Sequence, residues 1–359
     1  MAIRVLGRRR ASAGSPSLIS SRNGPLPAES VSPGSTQTDL SANEHQLTAA
    51  PPLAVGGASV RCGACSWADR SLVKESGWYP KRTMRAAQRL AFYASRFPVA
   101  LVDSTYRFPP TPDVARQWVE RTPEGFTMDV VAWSLLTHNA TLPDSLWPDL
   151  QDEVRPEARD RRRLYADHLT ADARREAWRR FGHALEPLRA AGRLGCVVLR
   201  YPYWMRPGET ARAAIVEARD ALSHLRLAIE LPNLLWVEDD QCEPTLAFLE
   251  DQDLAFVCTD GPPQAEARPP VVASTSDLAV VRLEGRNPGD WDEAGLDMAQ
   301  RFAYRYPLVE LEEWVPRLSA LAASTPEVHV LMANCWRDDA VVNAAELEAL
   351  LRRSVAPSN

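Results

Sequence analysis

The chain has 359 residues, of which 45% are hydrophobic and 25% charged, and a formal net charge of −6. The composition is that of an ordinary globular protein, and the acidic balance excludes a surface built as a footprint for duplex nucleic acid. No apolar run approaches the roughly eighteen residues of a membrane span, and with only Lys74 and Lys81 present, guanidinium is the anion-binding group this chain has to use.

Residues 1–58 are rich in Ser, Pro, Gly and Ala without sustained apolar periodicity, the composition of a disordered tail. Their first 22 residues carry Arg4, Arg8, Arg9, Arg10 and Arg22 and no acid. No apolar h-region follows Arg10, which argues against secretion. Order is expected from Ser59. A first strand over 59–67 is followed by a Gly-Trp-Tyr-Pro turn at 77–80 and a helix with Leu90, Tyr93 and Phe97 on one face. A second strand opens the stretch 99–110, with Asp103 near its end and Tyr106, Arg107 and Phe108 in the loop. Thr111 and Pro112 are an N-cap and first-turn proline for the helix carrying Val114 and Trp118. The third strand, 126–132, leads to Thr137 and His138.

Residues 139–170 interrupt the rhythm with a Pro-, Asp- and Arg-rich insertion, whose run Arg161 to Arg163 has the composition of a solvated face. A helix then presents Trp178, Phe181, Leu185 and Leu188 and stops at Gly192. The fourth strand, 194–204, ends at Arg200, and a helix through Ile215 and Leu222 follows. The run LAIELPNLLW, 227–236, reads as a buried parallel strand that ends at Glu230, is broken by Pro232 and Asn233, and leaves Trp236 in the loop. The sixth strand, 254–260, ends at Asp260. The seventh, 277–287, carries Arg282, Glu284 and Arg286. After a helix with Leu311, Trp314 and Leu318, the eighth strand, 327–336, ends at Asn334, and Asp338 caps the last helix.

Eight strands, each followed by a helical or loop segment and none by a Gly-x-Gly-x-x-Gly turn, predict an α/β fold of the (β/α)8 TIM-barrel type over residues 59–359. A doubly wound open sheet is the alternative architecture, with eight equivalent units counting against it. The six cysteines form no disulfide framework, which favours a reducing compartment and hence the cytoplasm. Cys62 and Cys65 make a lone C-x-x-C. Three apart on a strand they face opposite sides, and no second pair completes a zinc site, so the motif is expected to be chemically idle.

Several segments carry a resemblance. GACSW at 63–67, WYP at 78–80, VDSTYRFPP at 102–110, TH at 137–138, LRYP at 199–202, VVRLEGR at 280–286, YRYPLVELEEW at 304–314 and ANCWRDDAVVNA at 333–344 occur in that order. The series resembles the YecE-like family, domain of unknown function seventy-two, over about residues 60 to 352. That resemblance implies a TIM-type barrel and no established reaction or cofactor. It also marks three departures. Pro232 and Asn233 stand where the family tends to have arginine and histidine, Arg200 where it tends to have glutamine, and Glu284 where it usually has histidine.

In a barrel of this type the strand ends share one face. Glu230, Asp260 and His138 are therefore the candidate catalytic groups, with Glu230 and Asp260 as a carboxylate pair from neighbouring strands and His138 as a proton shuttle. Tyr106, Arg200, Trp236, Arg282, Arg286 and Asn334 are the candidate substrate-binding groups, the arginines for a phosphate or carboxylate and the aromatics for a sugar or base. No short-range ligand spacing points to a metal. Because its guanidinium sits on the strand beside Glu230, Arg200 is expected to pair with that carboxylate and so return the positive charge missing at Pro232. Two functions stay open at this point: a hydrolase or phosphodiesterase-like enzyme on a phosphorylated or sugar-containing small molecule, and a non-catalytic barrel binding an anionic ligand or a nucleic-acid end.

Overall fold

The apolar runs become strands because their residues are buried on both faces, as the structure, a computed structural model, shows for residues 48–238, 240–261, 270–287 and 302–356. Among these, nine strands form one sheet: β1 (Leu53–Val55), β2 (Ala58–Cys65), β3 (Val99–Val102), β4 (Thr127–Val131), β5 (Leu194–Arg200), β6 (Leu227–Glu230), β7 (Ala255–Asp260), β8 (Leu278–Leu283) and β9 (Glu327–Met332). Strands β2 to β9 pair in parallel with their sequence neighbours, and β9 returns to β2 from Ser59↔Glu327 to Ala64↔Met332, which closes an eight-stranded barrel. The helices flank it, as expected of a (β/α)8 fold.

Among the described residues, regular structure already stands before the expected boundary at 58. β1 pairs antiparallel with β2, Leu53 opposite Val60, through a turn at Gly56 and Gly57 with φ of +56° and +91°. Two consecutive positive φ values suit glycine and a tight hairpin, a signal that VGGAS carries next to the Ser- and Pro-rich composition upstream. The expected disorder of residues 1–47 lies outside the described residues. The insertion holds together through two antiparallel bridges, Thr141↔Leu164 and Val154↔Leu169, and short 3-10 turns.

Two apolar layers separate by strand parity. One fills the barrel with Val99, Leu101, Val131, Val198, Val257 and Val280 among others. The other lies between strands and helices and includes Leu90, Phe181, Leu185, Leu318 and Leu347. Cys62 belongs to the outer layer and Cys65 to the inner, so the C-x-x-C pair does face opposite ways. Thr111 caps its helix through Val114 N at 3.3 Å, with Pro112 in the first turn. Asp338 precedes the helix Asp339–Val355 but makes no side-chain cap; Arg305 takes its carboxylate at 2.8 Å instead.

Candidate functional site at the barrel mouth

Parity decides which strand-end side chains enter the mouth. Val198, Ala228 and Val280 point into the barrel, so Arg200, Glu230 and Arg282, two residues further on, do the same. Arg200 and Glu230 are register partners on β5 and β6. The Arg200 Nε lies 2.9 Å from Glu230 Oε1, while Arg282 Nη1 holds Glu230 Oε2 from the other side. Glu284, again two residues on, places Oε1 3.4 Å from Arg282 Nη2 and 3.7 Å from Arg200 Nη2. Two carboxylates and two guanidinium groups thus alternate around one opening.

Their burial is unequal. The side chains of Glu230, Arg282 and Glu284 are 2%, 7% and 9% exposed, and that of Arg200 is 35% exposed, so Arg200 forms the solvent side. Burial pushes the Glu230 carboxyl up, but Arg282 and Arg200 outweigh it and hold its pKa below the usual glutamate value. Burial likewise works against charge on Arg282, and Glu230 with Glu284 overcomes it, so this guanidinium stays protonated. Burial raises the Tyr106 hydroxyl; Arg200 and Glu230 are the charges that act on it, which places Tyr106 at the same opening. Arg282 Nε and Glu284 Oε1 are buried and make no hydrogen bond, and such groups are costly to leave unsatisfied. Around the opening, Phe108, Tyr203 and Trp204 follow β3 and β5 and are 53%, 77% and 52% exposed. Asn233 ties the Tyr203 loop to the one after β6, donating to the Tyr203 carbonyl at 2.6 Å.

Five expected site residues lie elsewhere. Asp260 is three residues beyond inward-facing Val257 and so points out of the barrel. There it accepts from Arg286 Nε at 3.1 Å, Arg286 Nη2 at 3.0 Å and Trp314 Nε1 at 2.9 Å. The expected Glu230–Asp260 carboxylate pair is therefore not formed, and Arg286 is spent on Asp260 and Glu313. Asn334 follows inward-facing Ala333 and turns outward, where its amide donates to the Tyr304 carbonyl and to Asn343. Asn343 in turn holds the backbone of Tyr306, so these two segments of the resemblance brace one another. Trp236 is fully buried and donates to the Met205 carbonyl at 2.8 Å, unable to reach a ligand. His138, at φ +58°, has its pKa lowered by burial, and the charges acting on it are Glu217, Arg174 and Asp167 rather than Glu230.

A second polar cluster, absent from the sequence expectations, fills the opposite end of the barrel interior. His329 on β9 shares parity with Leu331, and Asp129 on β4 with Val131. His329 Nδ1 lies 2.8 Å from Asp129 Oδ2, and its Nε2 lies 3.1 Å from Glu327 Oε1. Burial disfavours a charged imidazole there, yet Asp129 and Glu327 win and raise its pKa to about 9. Arg61 and Arg226 complete the floor by pairing with Glu327 at 3.2 and 2.7 Å. FTMDVVA carries one titratable residue, Asp129, among apolar ones and EVHVLM carries two, Glu327 and His329, and that was the available signal.

Comparison with known proteins places this geometry in context. The family model described as protein of unknown function DUF72 matches residues 61–358. The chain is 24% identical over 294 residues to the UPF0759 protein YunF of Bacillus subtilis (strain 168), covering 80% of this chain and 93% of that protein. It is also similar to the crystal structure of a DUF72 family protein from Thermotoga maritima MSB8, with a TM-score of 0.64, 22% identity, and coverage of 82% of this chain and 99% of the other. A DUF72 family protein from Enterococcus faecalis V583 has a TM-score of 0.64 at 21% identity, covering 82% and 95%. At these identities the structural likeness speaks for the fold. No helix among the described residues is long and apolar enough to cross a membrane.

Proposed function

Because this chain belongs to the DUF72 family of proteins of unknown function, whose barrel opens at the C-terminal strand ends where such folds hold their sites, we propose that its mouth binds and hydrolyses a phosphorylated or sugar-containing small molecule. The observation that carries this proposal is the set of four charged groups, two of whose buried polar atoms, Arg282 Nε and Glu284 Oε1, make no hydrogen bond. Arg200, the solvent-side guanidinium, receives an anionic group of the ligand in bidentate fashion. Glu230, held ionised, sets the positions of both arginines rather than donating a proton. Glu284, close to two guanidinium groups without a hydrogen bond to either, is the carboxylate free to accept a proton from an attacking water. The exposed rings of Tyr203 and Trp204 offer stacking faces for a sugar.

One observation favours a second reading, a non-catalytic barrel for an anionic ligand: Glu230 is paired twice and kept ionised, so it supplies no general acid. Turnover of phosphate monoesters, diesters and aryl glycosides, measured beside calorimetry with inorganic phosphate, separates the two. Hydrolysis that disappears in Glu284→Gln while phosphate binding survives supports the enzyme. Binding abolished by Arg200→Ala, with no turnover of any of these substrates, supports the second reading, and neither binding nor turnover overturns both.

A further inference from the structure

We infer that the barrel floor is a metal site in which Asp129, Cys196 and His329 hold a thiophilic divalent cation, with Zn2+ the best match. Each of the three offers one ligand atom, and these atoms lie within 4.8 Å of one another. A single ion with bonds of about 2.0–2.3 Å to N, O and S donors holds them no more than about 4.6 Å apart, so binding draws the three side chains together from this starting span. All three residues are completely buried, and a carboxylate, a thiol and an imidazole are the donor set that zinc prefers over magnesium or calcium.

The surroundings are arranged as an outer ligand shell. A metal-bound histidine usually hands its other ring nitrogen to a carboxylate, which fixes the tautomer. Here His329 Nε2 faces Glu327 Oε1 at 3.1 Å, leaving Nδ1 toward Asp129 Oδ2 and the ion. Asp129 is steadied in the same way: its Oδ1 accepts the backbone N–H of Cys196 at 3.1 Å, so Oδ2 is the ligand oxygen. Arg61 and Arg226 anchor Glu327 from behind.

The backbone makes room for this arrangement. Met128 pairs with Leu194 but Val130 pairs with Val197, so a bulge sets Gly195 and Cys196 together opposite Asp129. A Cβ on Gly195 would collide with Asp129 Oδ1 and come within 2.9 Å of His329 Cε1. Only glycine at that position lets the carboxylate and the ring stand beside the Cys196 thiol. On binding, the ion replaces the proton at His329 Nδ1 and the thiol proton of Cys196, and both leave to solvent.

The full chain is tested in two ways, because a closed site can exchange slowly. Chain expressed in zinc-supplemented medium and never unfolded is assayed for bound metal by mass spectrometry. A second sample is unfolded in urea with chelator, then refolded with Co2+ and desalted. The expected results are about one metal per chain in both, and a thiolate-to-cobalt charge-transfer band in the second. Cys196→Ser should lose that band while keeping its far-ultraviolet circular dichroism, with Cys196→Ala as the replacement if the serine variant fails to fold. Cys335→Ser should keep the band. A folded wild type without stoichiometric metal in either preparation overturns the inference, and so does a band that persists in Cys196→Ser. Neither result bears on the mouth, which lies at the other end of the barrel.

Discussion

Arg200 Nε and Glu230 Oε1 lie 2.9 Å apart on register-paired ends of β5 and β6. This is the pairing expected of Arg200 in place of the guanidinium that the family resemblance implies at position 232, while Arg282 grips the other carboxylate oxygen. The two arginines are not equivalent, because one faces water and the other does not. Arg282→Ala strips a buried partner and should cost about 3–5 kcal/mol. Arg200→Ala should cost no more than about 1–2 kcal/mol, since water reaches that side and Arg282 remains. Urea unfolding measures both, and an equal loss would contradict the asymmetry.

Removing Glu230 and Arg282 together should be milder than the sum of the single changes. Either change alone leaves a buried charge with one partner in place of two, Glu230 with Arg200 or Arg282 with Glu284, and the double change removes both members of the pair. A Glu230→Gln, Arg282→Met double-mutant cycle with no coupling would show that the pair does not act as a unit.

Acid should weaken this site through Glu230. Its pKa is lowered in the folded state, so its stabilising effect is complete above the unfolded value of about 4.3 and is lost as pH falls through the folded one. The stability difference between wild type and Glu230→Gln should therefore shrink as unfolding is followed from pH 6 toward about pH 3. A difference that grows on acidification would reverse the sign argued here.

Asp260 should prove a brace rather than a catalytic partner. Asp260→Asn weakens the link between β7 and the helix Trp314–Ser324, with an expected loss of about 2–4 kcal/mol for a buried charge network. Trp314 emission should shift as its Nε1 loses an anionic acceptor. Phosphate affinity at the mouth should change less than twofold, and a collapse of binding in a folded variant would place Asp260 back in the site.

Gly195→Ala should destabilise the barrel by about 1–3 kcal/mol or more, the usual range for overpacking. The added methyl meets Asp129 together with Thr127 Cγ2 at 2.6 Å and the His329 ring. Thermal unfolding like that of wild type would mean that the floor has slack.

The alternation of apolar runs with helical stripes was enough to read eight strands in order and hence the barrel, because parallel strands covered on both faces must be apolar along their whole length. It was enough also to name Arg200, Glu230, Arg282 and Tyr106 as residues at strand ends. A run that is apolar on both faces, however, does not say which alternate set looks inward, and Asp260 and Asn334 stood at strand ends as plausibly as Glu230. Only closure of the barrel, through the return of β9 to β2, assigned one parity to the interior and turned those two outward. The floor cluster was decided the same way. Asp129, Cys196 and His329 come from three strands and 200 residues of chain between the first and last, and a one-residue bulge in β5 brings the second beside the others. Spacing along the sequence carries no record of that contact, because it arises from register between strands rather than from neighbours along the chain.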